Sequence, residues 1–238
     1  MEINLYVEEL KKHFGGVKAL DGVTVTIEEG NLSGLIGPNG AGKTTFVNVI
    51  TGLFPPTGGT IRLGDRDITG LPSHKIAARG LGRTFQITRG FEQLSVLENL
   101  LVPALAVKTS NRKEVEKKAA EIMDFLLIDH LEDELSVNLS GGQQKLLELG
   151  RVLMLDPDII VLDEPFAGVH PELRGDLHDH IDDLYEAGKT FLIISHDMES
   201  IFKLCERVIV FDQGKKLIEG SPDRVREDEA VLEAYLGD

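Results

Sequence analysis

The sequence predicts an α/β fold, a core of buried strands and helices interrupted by a helical lobe. Three observations carry that prediction. Apolar runs of strand length stop abruptly at a glycine-rich turn after Ile36 and at two acids, Asp163 and Glu164. The stretch from about Ile87 to Asp156 has helical periodicity instead. Beyond it, strands and helices alternate again.

In chain order, Val23 to Ile27 (VTVTI) alternates as a half-buried strand does, and Leu32 to Ile36 (LSGLI) runs straight into the glycine-rich turn. KTTFVNVITGL then reads as a helix closed near Gly52, and GGTIRLGDRDI as a strand and turn. In the lobe, Val115, Ala119, Ile122 and Leu126 fall on one helical face with Lys and Glu between them, and the mixed charges of NRKEVEKKAAE are a solvated surface. Strands are expected at Ile159 to Leu162, Thr190 to Ser195 and Arg207 to Phe211, with a helix around Pro171 to Ala187. The tail SPDRVREDEAVLEAYLGD predicts one or two short terminal helices.

The 238 residues suffice for one well-buried core but not for two independent domains. No segment approaches the ~20 continuous apolar residues of a membrane span, and MEINLYVEELKKHF lacks the basic start and apolar run of a secretory signal. A cytoplasmic location is expected, compatible with the single cysteine, Cys205, read as a small core residue. The net charge of −15 repels phosphate backbones and anionic lipid, so nucleic acid is excluded as a partner and any link to a membrane is expected to run through protein.

GPNGAGKTT satisfies GxxxxGK followed by Thr, between a predicted strand and a predicted helix. The loop Gly37, Pro38, Asn39, Gly40, Ala41 and Gly42 would curl around phosphate oxygens at a helix N-terminus, every residue but Pro38 offering a backbone N–H. Lys43 would reach the outer phosphates, and Thr44, followed by Thr45, would hold Mg²⁺. IIVLDEP is a buried strand ending in carboxylates. On a parallel sheet that end lies beside the phosphate loop, where Asp163 can bind Mg²⁺ and Glu164 can orient the attacking water. LSGGQQK sets Ser140, Gly141, Gly142 and Gln143 at the start of another helix, a second anion-receiving terminus without a lysine. A nucleotide bound to a partner copy is the economical ligand for it.

The order GPNGAGKTT, Gln86, LSGGQQ, VLDEP and SHD resembles the ABC ATPase family across nearly the whole chain, LSGGQ being the most discriminating element. That resemblance implies an ABC-type P-loop ATPase: a RecA-like core with an antiparallel β subdomain in residues 1–86 and 157–238, and an inserted helical subdomain, 87–156, that bears the signature. It implies ATP and Mg²⁺ as cofactors, and two subunits that sandwich two ATP molecules head to tail, each signature capping the other's nucleotide. By the same resemblance Gln86 contacts Mg²⁺ or water and senses membrane subunits, His196 senses the γ-phosphate, and Phe14 stacks on adenine with Val17 lining the same pocket. Where many members carry an Asp after the DE pair, this chain has His170, a departure that weakens any cross-dimer role for a carboxylate there.

GLGRTFQ, LSVLENLLV, DEPFAGVHPEL and AYLG resemble the ATPase subunits of branched-chain amino-acid importers. This implies permease subunits in the membrane, an external solute-binding protein, and peripheral attachment to the inner face through the permeases. A groove near Gln86 and the lobe would pass closure of the dimer to partner helices. Lipid-export ATPases share similar phrases, and a soluble ABC ATPase in cofactor assembly is the remaining alternative.

Overall fold

The computed structural model describes residues 3–85, 91–105 and 111–236. Two sheets form among them. The first is antiparallel and built by β1 (Leu5–Phe14), β2 (Val17–Ile27), β4 (Gly58–Leu63) and β5 (Arg66–Asp67), in the order β2-β1-β4-β5. The second contains β3 (Leu32–Ile36), β6 (Leu81–Arg83), β7 (Ile159–Asp163), β8 (Thr190–Ile194), β9 (Arg207–Asp212) and β10 (Lys215–Gly220), in the order β10-β9-β3-β8-β7-β6. It is parallel apart from β10, which returns antiparallel to β9.

The continuous apolar runs at 159–162, 190–194 and 207–211 follow from this layout, because a parallel strand covered on both faces must be apolar on both. Ile160 and Leu162, Phe191 and Ile193, and Val208 and Val210 belong to one buried cluster. Ile159 and Val161, Leu192 and Ile194, and Ile209 and Phe211 belong to the other. The second cluster is shared with the antiparallel sheet and with α1 (Lys43–Ile50), through Phe46, Val47 and Ile50.

The first cluster continues into helices that lie in sequence between β6 and β7: α3 (Val96–Leu105), α4 (Arg112–Phe125) and α5 (Gly141–Leu153). Their apolar faces include Leu100, Ala119, Ile122, Leu126 and Leu149, as the helical periodicity predicts. The short α2 (Ser73–Ala77) precedes β6. After β7 come α6 (Pro171–Glu186) and α7 (Met198–Leu204), and the chain finishes with α8 (Pro222–Glu227) and α9 (Glu229–Leu236).

On α6, His178 and His180 are buried, and the Nε2 atom of neither finds a hydrogen-bond partner. His178 stands edge-on to Phe166 at 4.6 Å, and His180 lies 5.0 Å from Phe125 on α4. Burial holds both imidazoles below their ordinary value of 6.5; Lys203 and Arg174 add to the depression at His178, and Asp176, Asp179 and Asp183 oppose it at His180. A histidine depressed in the native state costs nothing above the ordinary value. Below it the unfolded chain takes up protons that the native chain refuses, so stability is lost as pH falls through 6.5 and under. We expect the pair to lower stability between pH 7 and pH 5.5 by on the order of 1 kcal/mol, or about 2–4 °C in Tm. Calorimetry of wild type and His180→Phe checks it: the variant should show the shallower slope.

Candidate active site

The glycine-rich turn between β3 and α1 is held by close approaches that no other residue could make. At Gly37, with φ at +150°, a Cβ would stand 2.2 Å from the Phe211 carbonyl oxygen. At Gly42, which caps α1 with φ at +100°, it would stand 2.6 Å from the Ala19 carbonyl oxygen. The loop is thereby clamped between β9 and β2, with the N–H groups at the start of α1 turned to a cleft.

That cleft, of about 480 Å³, is lined by Asn39 to Thr45 of the loop, Asp163 and Glu164 at the end of β7, His196 after β8, and Val17, Lys18 and Ala19. Gln213 also lines it. Gly37 and Pro38 form the entry to the same turn. The Lys43 ammonium donates to the carbonyl oxygens of Gly37, at 2.6 Å, and Pro38, at 3.0 Å. Burial pushes it below the ordinary lysine value while the nearby Glu164 charge pulls it back.

The two acids have different surroundings. Asp163, all but buried, receives an Arg83 N–H on Oδ2 at 2.8 Å, and its own backbone N–H donates to Thr84 Oγ1 at 3.2 Å. Glu164 sits in the left-handed region, with φ at +53°, a conformation costing a non-glycine residue on the order of 1–3 kcal/mol. Its carboxylate accepts from Ser195 Oγ at 3.3 Å and from the His196 backbone N–H at 3.1 Å, and His196 Nδ1 stands 2.8 Å from Oε2. Asp197, without an expected role, caps α7 by accepting from the Ser200 N–H at 3.2 Å and pairs with Arg174 of α6 at 2.9 Å.

The structure thus brings Val17, the phosphate loop, Asp163, Glu164 and His196 to one cleft. It does not bring Phe14 there. That ring lies edge-on to Phe54 at 5.7 Å, with the Lys12 ammonium 4.9 Å from its centroid. Gln86 lies outside the described residues. Ser140 to Gln143 do not line this cleft either. They begin α5, where Ser140 Oγ accepts the Gln143 N–H at 3.3 Å and Gln143 Oε1 accepts the Ser140 N–H at 2.9 Å, a reciprocal cap. His170 stands at the cap position of α6, after the turn at Gly168.

Sequence reasoning missed Arg83, Thr84 and Ser195 as neighbours of the two acids. The available signal was the charge in LGRTF, an arginine at the end of an apolar strand, which needs a buried partner. A second hollow, of about 370 Å³, opens between the β6 end and the helices, lined among others by Leu53, Phe85, Glu148 and Arg151. There the Phe85 N–H donates to Glu148 of α5 at 2.5 Å.

The donors fit a nucleotide and its metal. Backbone N–H groups at a helix start and a lysine suit phosphate, and the Thr44 hydroxyl and Asp163 carboxylate in one cleft are the hard oxygen donors that Mg²⁺ prefers. Among the described residues no helix is long and apolar enough to cross a membrane.

Comparison with known proteins agrees with this chemistry. A family described as ABC transporter matches residues 20–167, and one described as branched-chain amino acid ATP-binding cassette transporter matches residues 215–238. The high-affinity branched-chain amino acid transport ATP-binding protein BraF of Pseudomonas aeruginosa is 39% identical, the match covering 98% of each chain. The lipopolysaccharide export system ATP-binding protein LptB of Escherichia coli is 36% identical over 98% of this chain and 97% of its own. Among solved structures, the ADP conformation of MJ1267, an ATP-binding cassette of an ABC transporter, superposes with a TM-score of 0.91 at 38% identity over the whole of both chains. A dimeric post-hydrolysis cassette, MJ0796, bound to ADP and Pi, covers 92% of this chain and 98% of its own with a TM-score of 0.83 at 25% identity.

Proposed function

The chain belongs to the ABC transporter family of ATP-binding cassettes and is an ATPase, and from that premise we propose that it powers a branched-chain amino-acid transporter as one half of a head-to-tail cassette pair. The observation that carries the pairing is the separation of the two anion-receiving helix starts. The lysine-bearing loop lines a cleft with the acids, whereas Ser140 to Gln143 cap α5 and do not line that cleft. A second cassette turned head to tail would set each signature over the other's nucleotide, and the dimeric relative bound to ADP and Pi supports such an assembly.

In this reading the Lys43 ammonium exchanges the Gly37 and Pro38 carbonyls for phosphate oxygens. Thr44 and Asp163 hold Mg²⁺, which when bound neutralises charge on the phosphates. Glu164 leaves Ser195 and His196 to orient the attacking water, and His196, freed of its carboxylate, turns to the γ-phosphate. Residues 87–156 act as the signature-bearing lobe. The hollow beside Phe85 and Glu148 seats helices of the permease subunits, which hold the cassette at the inner face of the membrane and take cargo from an external solute-binding protein.

The match of residues 215–238 to the branched-chain family supports that cargo class, and the 36% identity to LptB supports lipid export as the second reading. Co-purification with each type of permease separates them. The pairing is tested by light scattering on Glu164→Gln with ATP. This variant should elute as a dimer, and adding Ser140→Arg, which alters no residue of the cleft, should return it to a monomer that still binds nucleotide. A dimer that survives Ser140→Arg would overturn the trans role of the signature.

A further inference from the structure

β6 and β7 pair in parallel with Arg83 opposite Val161, so Asp163, two residues on, is the diagonal neighbour of Arg83 on the same face of the sheet. That face is the one α1 covers. Arg83 is therefore enclosed on three sides. One terminal nitrogen donates to Asp163 Oδ2 at 2.8 Å, the other to Asn48 Oδ1 at 2.7 Å and Thr51 Oγ1 at 3.1 Å, and the guanidinium carbon lies 4.9 Å from the Phe85 ring. The Arg83 side chain is 7% exposed and that of Asp163 2%.

A buried carboxylate without a partner is costly, and a single point charge could meet it without fixing its orientation. The fork does both. Asn48 and Thr51, one on the helix that opens at the phosphate loop and the other at its end, fix the guanidinium, and the guanidinium in turn fixes one carboxylate oxygen. With Oδ2 engaged, Oδ1 is the oxygen left to a cation in the cleft.

We propose that Arg83 is a positioning residue for the metal, the resident counter-ion that holds Asp163 by one oxygen and presents the other to Mg²⁺. This rests on the reading of Asp163 as a metal carboxylate given under the proposed function. Because Arg83 acts only through Asp163, its removal has no further effect once Asp163 is gone. The chain runs on from the end of β6 to Phe85, whose N–H is held by Glu148 of the signature helix, so Arg83 and with it Asp163 are tied to the lobe.

The test is a double-variant cycle on the full chain, read as Mn²⁺ binding by EPR in the presence of a non-hydrolysable ATP analogue. Arg83→Met should weaken Mn²⁺ about tenfold, Arg83→Lys by less, and Asp163→Asn at least as much as Arg83→Met. Arg83→Met with Asp163→Asn should bind within twofold of Asp163→Asn alone. Nucleotide binding in EDTA should stay within twofold in every variant, which a merely structural defect would not allow. The urea midpoint without nucleotide adds a second readout: Arg83→Met should lower it, and adding Asp163→Asn should restore at least half of the loss. If Arg83→Met leaves Mn²⁺ binding unchanged while Asp163→Asn weakens it, or if the two losses multiply, Arg83 does not act through Asp163 and the inference falls alone. If Asp163→Asn itself leaves Mn²⁺ unmoved, the metal reading of Asp163 falls and this inference with it.

Discussion

Glu164→Gln is expected to lower the rate of ATP hydrolysis by about a thousandfold while leaving nucleotide affinity within threefold, since a positioned base contributes typically 10²–10⁴ to a proton-transfer step. The substitution keeps shape and hydrogen-bond reach. What it removes is the carboxylate's negative charge and its capacity to take a proton from water. In the resting chain that carboxylate is engaged by Ser195, by the His196 N–H and by the His196 ring, and its backbone is held at φ +53°. A strained residue gripped by one short segment is poised to move when that segment finds another anion. Single-turnover hydrolysis measures the loss, and a rate within tenfold of wild type would remove Glu164 from the step.

Lys43→Ala is expected to weaken ATP and ADP by about a hundredfold or more. Two charge-assisted hydrogen bonds to phosphate contribute roughly 1.5 kcal/mol or more each, and about 3 kcal/mol corresponds to that factor. The same ammonium donates to the carbonyls of Gly37 and Pro38, which also shape the loop's entry. The variant therefore loses a loop brace together with a phosphate ligand. Calorimetric titration with ADP checks it, and a loss smaller than tenfold would mean that the backbone cradle alone carries binding.

How much of this could be read from the residues depended on how locally each feature is encoded. The strands at 32–36, 159–163, 190–194 and 207–212 are apolar on both faces, so their runs stand out in any window. β1 is harder to see: its pairing with β2 shifts register between Val7 and Leu10 and again before Lys11 and His13, and Glu9 adopts φ +48°. Those bulges spoil the alternation that marks a half-buried strand. β10, KKLIEG, is an edge strand too polar to announce itself.

The phosphate loop, the acids and the signature are contiguous strings, and so were visible without a fold. Arg83 and Ser195 acquire meaning only when β6 pairs with β7 and the chain after β8 arrives beside Glu164. The edge-on contact of Phe14 with Phe54 is likewise a product of tertiary packing that no local pattern encodes.

The reciprocal cap at the start of α5 bears on how a cassette pair could part again. Ser140 and Gln143 already satisfy each other's backbone N–H groups while the signature faces solvent. A phosphate arriving from a partner would displace one set of hydrogen bonds by another, so the count of bonds changes little and the contact is governed by the charge that the ligand brings. In a pair of that kind, hydrolysis and departure of the γ-phosphate would remove that charge, and the helix end would close on itself again. At such a joint the Ser140 and Gln143 N–H groups would be satisfied again by each other's side chains when the contact opens, and the donors of Gly141 and Gly142 would be returned to water.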